Sequence, residues 1–195
     1  MTSNVSVTIL AGGQSRRMGT DKSFIQLNGK PLVQYVFDCV KSLDLPVTII
    51  ANVKERYLPF GVPVYADVLP GKGSLGGIYT ALHYSPTQYV LCVACDMPFL
   101  QPELLSHLIS LRDGYCAVVP LVNGERQALH AVYRRDCMRL IEKQLERDEL
   151  AIHKLFGRIK TRVVSQASIA SFDPDFRSFI NLNTPGDVSQ IGMLE

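Results

Sequence analysis

The segment Tyr89-Val-Leu-Cys-Val-Ala94 is a nearly all-apolar run that ends directly before Cys95-Asp96. A strand with so few polar positions is expected where helices cover both faces of a parallel sheet. Other short runs rich in β-branched or apolar residues lie at 5–10, 47–51, 62–66, 116–120, 128–133 and 161–164. Stretches with helical spacing or helix-start signals lie at 32–42, 75–84, 102–111, 135–147 and from 184 onward. This alternation predicts an α/β fold.

The length of 195 residues suits one domain, so we expect residues 1–195 to form a single three-layer unit. Its sheet is predicted to be mostly parallel and Rossmann-like, with helices on both faces. In sheets of this kind, ligands bind beyond the carboxyl ends of the strands. The residues that follow each predicted strand are therefore the first candidates for a functional site.

The composition argues against several classes of protein. A formal net charge of +2 gives no reason to expect a nucleic-acid or membrane-surface partner. The sequence contains no apolar run of ~18 residues and no signal-peptide pattern, so we expect a cytoplasmic protein without membrane spans. The odd number of cysteines, five, argues against a disulfide framework. Cys92 and Cys95 fall on a strand with odd spacing, which predicts that the two thiols point to opposite faces.

The loop after the first predicted strand reads Leu10-Ala-Gly-Gly-Gln-Ser-Arg-Arg-Met-Gly-Thr-Asp-Lys22. Two adjacent glycines, Gly12 and Gly13, let backbone N–H groups approach a phosphate closely. Arg16, Arg17 and Lys22 bring positive charge to the same loop, which favours a triphosphate ligand. The alternative is a tight turn with solvated charges. The spacing does not fit a Walker loop, because five residues separate Gly13 from Gly19 and Thr20 follows it.

Polar side chains also follow the other predicted strands. Asp96 is suited to hold Mg²⁺, which prefers one or two carboxylates together with phosphates and water; the alternative is a cap for the next helix. Asn52 and Asp67 can each read the edge of a nucleotide base, although both are also common turn residues.

Three ordered motifs resemble those of the molybdenum cofactor guanylyltransferases. They are the loop 10–22, the segment Cys95-Asp-Met-Pro98 and the segment Asn181-Leu-Asn-Thr-Pro185. The resemblance implies a nucleotidyltransferase fold in which residues 5–100 bind the nucleotide and residues 101–195 bind the pterin substrate. It implies a GTP site formed by Leu10, Ala11, Gly12, Gly13, Lys22, Asn52, Asp67 and Asp96.

The same resemblance implies a reaction. The terminal phosphate of molybdopterin attacks the α-phosphorus of GTP, and pyrophosphate leaves. Lys22, Arg17 and Asp96 would be the catalytic residues, with Asp96 holding Mg²⁺. Asn181 and Asn183 would support the metal or the pterin, although Asn183 also suits a helix-start turn before Thr184 and Pro185. Other proteins of molybdenum cofactor synthesis are the implied transient partners.

Two alternatives remain open from the residues. A related nucleotidyltransferase would use CTP or a sugar phosphate. A dinucleotide-binding protein would use Gly71-Lys-Gly-Ser-Leu-Gly76, a GxGxxG motif with Asp96 twenty residues after its last glycine. The residues 67–70 stand between that motif and the preceding strand, which disfavours an NAD site. His130 could face the second substrate, but a buried structural histidine is the simpler interpretation.

Overall fold

The computed structural model describes residues 4–12 and 22–191. The strands are Val5–Leu10 (β1), Gln26–Leu27 (β2), Lys30–Pro31 (β3), Val47–Ile50 (β4), Val64–Tyr65 (β5), Tyr89–Ala94 (β6), Ala117–Val122 (β7), Glu125–Arg126 (β8), His130–Arg134 (β9) and Thr161–Val164 (β10). The helices are Leu32–Lys41 (α1), Gly73–Tyr84 (α2), Pro102–Ser110 (α3), Met138–Glu146 (α4), His153–Phe156 (α5), Gln166–Ala170 (α6) and Pro185–Ile191 (α7).

The central sheet has the strand order β10-β7-β9-β6-β1-β4-β5. Neighbours along it are parallel except at β9, which runs antiparallel to both β6 and β7. The short strand β8 folds back on β7 as a hairpin, and β2 pairs with β3 away from the sheet. The carboxyl ends of β1, β4, β5, β6 and β7 therefore meet at one edge, as expected from the sequence.

Two apolar layers cover the two faces of this sheet. One contains buried side chains of α1 and α3, such as Val36 and Leu105. The other contains side chains of α2, α4 and α5, such as Ile78 and Ile141. The predicted three-layer α/β fold with a mostly parallel sheet is confirmed. Cys92 and Cys95 belong to different layers, which confirms that the two thiols diverge.

The structure differs from the sequence-based expectation mainly in short elements. The helix expected over 135–147 begins with a separate 3₁₀ turn, Arg135–Cys137, before α4. The backbone N–H of Arg135 donates to the carbonyl of Gln88, and the Cys137 thiol donates to the carbonyl of Cys116. These bonds tie the first turn to the residues directly before β6 and β7 and account for the break. Elements such as β2, β3, β8, α5 and α6 are too short for a periodicity to reveal.

Candidate functional site

Four strand ends form one edge of the site. The backbone N–H of Ala11 donates to the carbonyl of Ile50 over 2.9 Å, and that of Ala51 donates to the carbonyl of Tyr65 over 2.8 Å. On the other side, the N–H of Cys95 donates to the carbonyl of Leu10 over 3.2 Å. Backbone hydrogen bonds between neighbouring parallel strands thus continue just past β1, β4, β5 and β6. These bonds fix the first residues of the loops that carry the candidate site residues.

Asn52 and Asp67 hydrogen-bond to each other at this edge. The Asn52 amide Nδ2 donates to Asp67 Oδ2 over 3.0 Å, and the Asp67 backbone N–H donates to Asn52 Oδ1 over 3.2 Å. Gly12 lies against the pair, since a Cβ at Gly12 would be 3.1 Å from Asp67 Oδ2. A side chain at position 12 would crowd this carboxylate. Three of the residues that the sequence assigned to the nucleotide, Gly12, Asn52 and Asp67, are therefore adjacent.

Burial raises the pKa of the Asp67 carboxyl, while its hydrogen bond from Asn52 opposes that shift. A partly desolvated carboxylate benefits from donors that replace lost water. Asn52 supplies one donor and leaves further lone pairs on the carboxylate. The pair can therefore accept hydrogen bonds from a ligand such as a base or a sugar.

Leu10 contributes its backbone to this edge, because its side chain is buried. It is 8% exposed and belongs to the apolar layer that includes α2. A Cβ at Gly77 would be in ordinary contact with Leu10 Cδ2, at 3.6 Å. Helix α2 can therefore approach the end of β1 closely.

A second group of residues surrounds Lys22. Its ammonium donates to the side-chain oxygen of Asn183 over 2.7 Å. The residue lies at the start of a 3₁₀ helix, Lys22–Phe24, and is partly exposed. Asn183 is far from Lys22 in sequence, and the contact joins the loop after β1 to the segment before α7.

The segment that carries Asn183 is held by a reciprocal helix cap. The Asp187 carboxylate accepts from the backbone N–H of Asn183 over 2.7 Å and of Thr184 over 2.9 Å. In return, the Asp187 N–H donates to the Thr184 hydroxyl over 3.1 Å. The bonds from the two N–H groups are the largest cause of a lowered pKa at Asp187, and the Lys22 charge also lowers it. This Thr-x-x-Asp box orders the backbone next to Lys22.

Asp96 follows β6 and lies within electrostatic range of Lys22. Burial raises the pKa of Asp96, and both a bond from its own backbone and the Lys22 charge oppose that shift. It does not cap the next helix, because Gln101 occupies the position before α3. The N–H of Leu182 donates to the Asp96 carbonyl over 2.9 Å, so the Asn183 segment reaches this residue as well.

Asp96 has the chemistry to hold a Mg²⁺ ion that arrives with a nucleotide. Among residues 4–12 and 22–191, no three metal-ligating side chains form a cluster. Mg²⁺ at phosphoryl-transfer sites needs only one or two carboxylates, because phosphates and water complete its shell. Asp96 is a desolvated carboxylate at the strand edge, so a cation would relieve the cost of its burial.

Two predicted site residues, Gly13 and Arg17, fall in a part of the chain that the structure does not describe. Asn181 is exposed, whereas Asn183 makes the contact with Lys22. Sequence reasoning favoured a role for Asn181 over Asn183, and the roles of both asparagines stay predictions.

The glycine-rich segment 71–76 leads into α2, whose Gly77 lies against Leu10 at the end of β1. Gly71 and Gly73 adopt positive φ angles of 81° and 58°, and α2 begins at Gly73. The ammonium of Lys72 forms a 2.8 Å salt bridge with Asp148, which follows α4. This pair links the loop before α2 to the second half of the chain.

A cavity of about 490 Å³ lies at the carboxyl end of β7, beside the hairpin with β8 and helix α5. Arg126, His153 and Phe156 are among its lining residues. The Arg126 guanidinium lies 5.8 Å from the centre of the Phe156 ring. Its volume is in the range of small-molecule sites, and its lining combines an aromatic surface with the Arg126 guanidinium and the Glu125 carboxylate.

His130 is not part of that cavity lining. It is fully buried at the start of β9 and packs on Phe179, with 4.7 Å between ring centres. The backbone of Ser178 lies near the ring, but neither ring nitrogen has a partner in good hydrogen-bond geometry among the described residues. The interpretation of His130 as a buried structural histidine agrees with this position.

Sequence reasoning missed several residues that hold the site. Asp187 had a readable signal, since Thr184 and Asp187 have the spacing of a capping box. Ser23 and Tyr57 had none, because their contact with each other spans 34 residues and depends on the tertiary fold.

The chain matches the family model described as "MobA-like NTP transferase domain" over residues 7–163. A protein of Natranaerobius thermophilus named "Probable molybdenum cofactor guanylyltransferase" is 35% identical over 97% of this chain and 96% of that protein. A protein of Desulfosudis oleivorans named "Molybdenum cofactor guanylyltransferase" is 34% identical over 95% of this chain and 93% of that protein.

Solved structures are also similar to this chain over nearly its whole length. The molybdopterin-guanine dinucleotide biosynthesis protein A from Archaeoglobus fulgidus superposes with a TM-score of 0.82 and 26% identity, covering 97% of each chain. A 4-diphosphocytidyl-2C-methyl-D-erythritol synthase from Anaerococcus prevotii reaches a TM-score of 0.70 at 15% identity, over 97% of this chain and 95% of that one. The second likeness concerns the fold alone.

Proposed function

Because the chain belongs to the MobA-like NTP transferase family, and within it to the molybdenum cofactor guanylyltransferases, we propose that it transfers GMP from GTP to the terminal phosphate of molybdopterin. The products are molybdopterin guanine dinucleotide and pyrophosphate. The observation that carries the site assignment is the meeting of Lys22, Asn183 and the Asp96 segment at the edge where Gly12 and Asp67 also lie.

The chemistry needs positioning and charge neutralisation more than a strong base. The attacking phosphate oxygen is already an anion, and it displaces pyrophosphate as its bond to the α-phosphorus forms. The main barrier is repulsion between two anions that must be aligned. Lys22 supplies a compact positive charge, and Asn183 restricts its orientation.

In this proposal Mg²⁺ accompanies the nucleotide and is held by Asp96. Bound there, it would neutralise the triphosphate and stabilise the charge that develops on the leaving pyrophosphate. Asp96 contributes an oxygen ligand at the strand edge. Lys22 and Arg17, in the sequence that follows β1, would bind the phosphates together with the backbone of Gly13.

Asp67 and Asn52 are assigned to the base and sugar end of GTP. A carboxylate that accepts from the N1–H and 2-amino groups of guanine discriminates against adenine, which presents no such pair. Gly12 leaves room beside that carboxylate. Leu10 and Ala11 would contact the base through backbone groups.

The cavity beside β8 and α5 is our candidate for the pterin end of the acceptor. Phe156 offers an aromatic surface, Arg126 offers a cationic donor, and Glu125 and His153 offer further polar groups. This assigns the nucleotide to residues 5–100 and the pterin mainly to residues 101–195. Asn181 remains a candidate contact between them.

The proposal also retains a cytoplasmic location, no nucleic-acid partner and transient contacts with other cofactor-synthesis proteins. In the described part of the chain, no helix has the length and apolar character needed to cross a bilayer.

Thermal stabilisation by GTP, ATP, CTP and NAD, each with and without Mg²⁺, tests the nucleotide assignment. A ligand that binds only the folded state raises stability by RT ln(1 + [L]/Kd). We expect GTP to raise the melting temperature only with Mg²⁺, and Asp96→Asn to weaken that increase. In Asp67→Asn, the increase should discriminate less between GTP and ATP. A preference for CTP would indicate the related transferase. A shift with NAD alone would contradict the proposal and indicate a dinucleotide site at Gly71–Gly76.

A further inference from the structure

A buried chain of hydrogen bonds lies beneath the site. The Tyr57 hydroxyl donates to Ser23 Oγ over 2.8 Å, and the Ser23 hydroxyl donates to Cys95 Sγ over 3.1 Å. Tyr57 and Ser23 are each 1% exposed, and Cys95 is 9% exposed. The three side chains are thus shielded from solvent.

Each member of this chain belongs to a different segment of the site. Ser23 directly follows Lys22, and Cys95 directly precedes Asp96. Tyr57 lies on the 3₁₀ helix Lys54–Phe60, which begins just after Asn52. One chain of hydrogen bonds therefore joins the loops after β1, β4 and β6.

Packing alone does not require the tyrosine hydroxyl. The Tyr57 ring packs on Phe24 with 5.1 Å between centres and on Phe60 with 6.3 Å, so a phenylalanine would fill the same apolar space. A buried hydroxyl is tolerated only when its hydrogen bonds are made. The hydroxyl instead orients Ser23. Its hydrogen bond holds Ser23 Oγ close to the ring, in a position from which the Ser23 hydroxyl donates to Cys95.

We infer that Tyr57, acting through Ser23 and Cys95, is a positioning residue that holds Lys22 beside Asp96 for binding of the Mg²⁺–nucleotide. The inference rests on the proposed function, because it takes the Lys22 and Asp96 segments to be the triphosphate site. Small displacements of groups that align reactants reduce turnover strongly, even when the displaced residue does not touch substrate.

Tyr57→Phe tests the inference, with Tyr133→Phe as the matched control. Tyr133 is also fully buried, and its hydroxyl donates over 2.8 Å to the Ala128 carbonyl in the other half of the chain. Both variants lose one buried hydrogen bond and should lose similar thermal stability. We expect Tyr57→Phe alone to weaken Mg²⁺–GTP binding, measured by calorimetry without the second substrate, on the order of 10-fold.

Cys95 provides a rescue experiment. Cys95→Ser keeps an acceptor for the Ser23 hydroxyl, whereas Cys95→Ala removes it. The serine variant should retain wild-type Mg²⁺–GTP affinity, and the alanine variant should resemble Tyr57→Phe. Equal GTP affinity in Tyr57→Phe and Tyr133→Phe, with the wild type binding GTP, would overturn this inference and leave the proposed function intact. Failure of the wild type to bind GTP would overturn both.

Discussion

The ammonium of Lys22 is the point at which two distant parts of the chain meet. It follows β1, while its partner Asn183 precedes α7, and the Asp187 carboxylate orders that second segment. The loop composition around Lys22 indicated a phosphate site from the sequence, but the partner could not be identified that way. Sequence reasoning favoured Asn181, because Asn183 also suits a helix-start turn, whereas in the structure the contact with Lys22 is made by Asn183.

We expect Lys22→Ala to lower GTP turnover by at least about 100-fold, as is usual when one oriented cationic donor is removed from a phosphoryl-transfer site. Lys22→Arg should not restore full activity, because a planar guanidinium cannot replace a compact ammonium beside Asn183. Pyrophosphate release measures both. Lys30→Ala is the control, because Lys30 forms a surface ion pair with Asp38 away from the site. Near-normal turnover in Lys22→Ala would remove Lys22 from the catalytic residues.

His130 should make stability depend on pH. Burial lowers its pKa from 6.5 to about 4. Between about pH 6.5 and pH 4, His130 is protonated in the unfolded chain but stays neutral in the folded chain. Acidification therefore favours unfolding. The resulting loss in the free energy of unfolding reaches roughly 3 kcal/mol at about pH 4 and levels off below that pH.

Urea unfolding at a series of pH values between 7.5 and 4 tests this effect. The wild type should lose up to about 1.4 kcal/mol per pH unit from this residue alone, and His130→Leu should show a flatter profile. Parallel profiles for the two proteins would contradict the low pKa.

At the scale of single elements, strands and long helices were predictable, and their junctions were less so. The apolar character of β6 and the helical spacing in α1 are properties of local sequence. The break before α4 depends on bonds from Arg135 and Cys137 to residues of other segments. Local patterns carry no information on such contacts, which also explains why the role of Tyr57 was not predicted.

Two adjacent glycines of α2 provide a matched pair of variants. A Cβ at Gly76 would lie 2.8 Å from the Lys72 Cβ and 3.3 Å from the Leu69 carbonyl oxygen. A Cβ at Gly77 would meet only Leu10, at ordinary contact distance. Alanine improves helix propensity by up to about 1 kcal/mol at both positions, but at Gly76 it must displace the loop.

We therefore expect Gly76→Ala to lower the melting temperature by several degrees and to raise KM for GTP, because the loop that it displaces borders the site. Gly77→Ala should leave the melting temperature unchanged or raise it. Calorimetric melting and steady-state kinetics check both variants. If Gly76→Ala were as stable and active as Gly77→Ala, the close packing of this loop on α2 would be wrong.

For the molecule as a whole, the order of the strands makes its two halves interdependent. Strand β9, from the second half, lies between β6 and β7, and all of its residues pair with β6. Both apolar layers also contain residues from each half, such as Val36 and Val132 in one layer. The class of fold was predictable from alternation, but the insertion of an antiparallel strand at this position was not, because its pattern resembles that of its parallel neighbours.

We expect guanidinium unfolding to show one cooperative transition, since removing either half exposes the edge and faces of the other. Far-UV circular dichroism and tyrosine fluorescence should give the same midpoint, and GTP should move both equally. Separate transitions for the two probes would indicate that residues 5–100 and 101–195 are independent folding units.

The reaction itself tests the central claim most directly. The purified protein is incubated with molybdopterin, Mg²⁺ and an equimolar mixture of GTP and CTP, and the dinucleotide product and pyrophosphate are quantified. Molybdopterin guanine dinucleotide and pyrophosphate should form in equal amounts, with little cytidine product. Formation of the cytidine dinucleotide instead, or no pyrophosphate release from either nucleotide, would contradict the assignment as a guanylyltransferase.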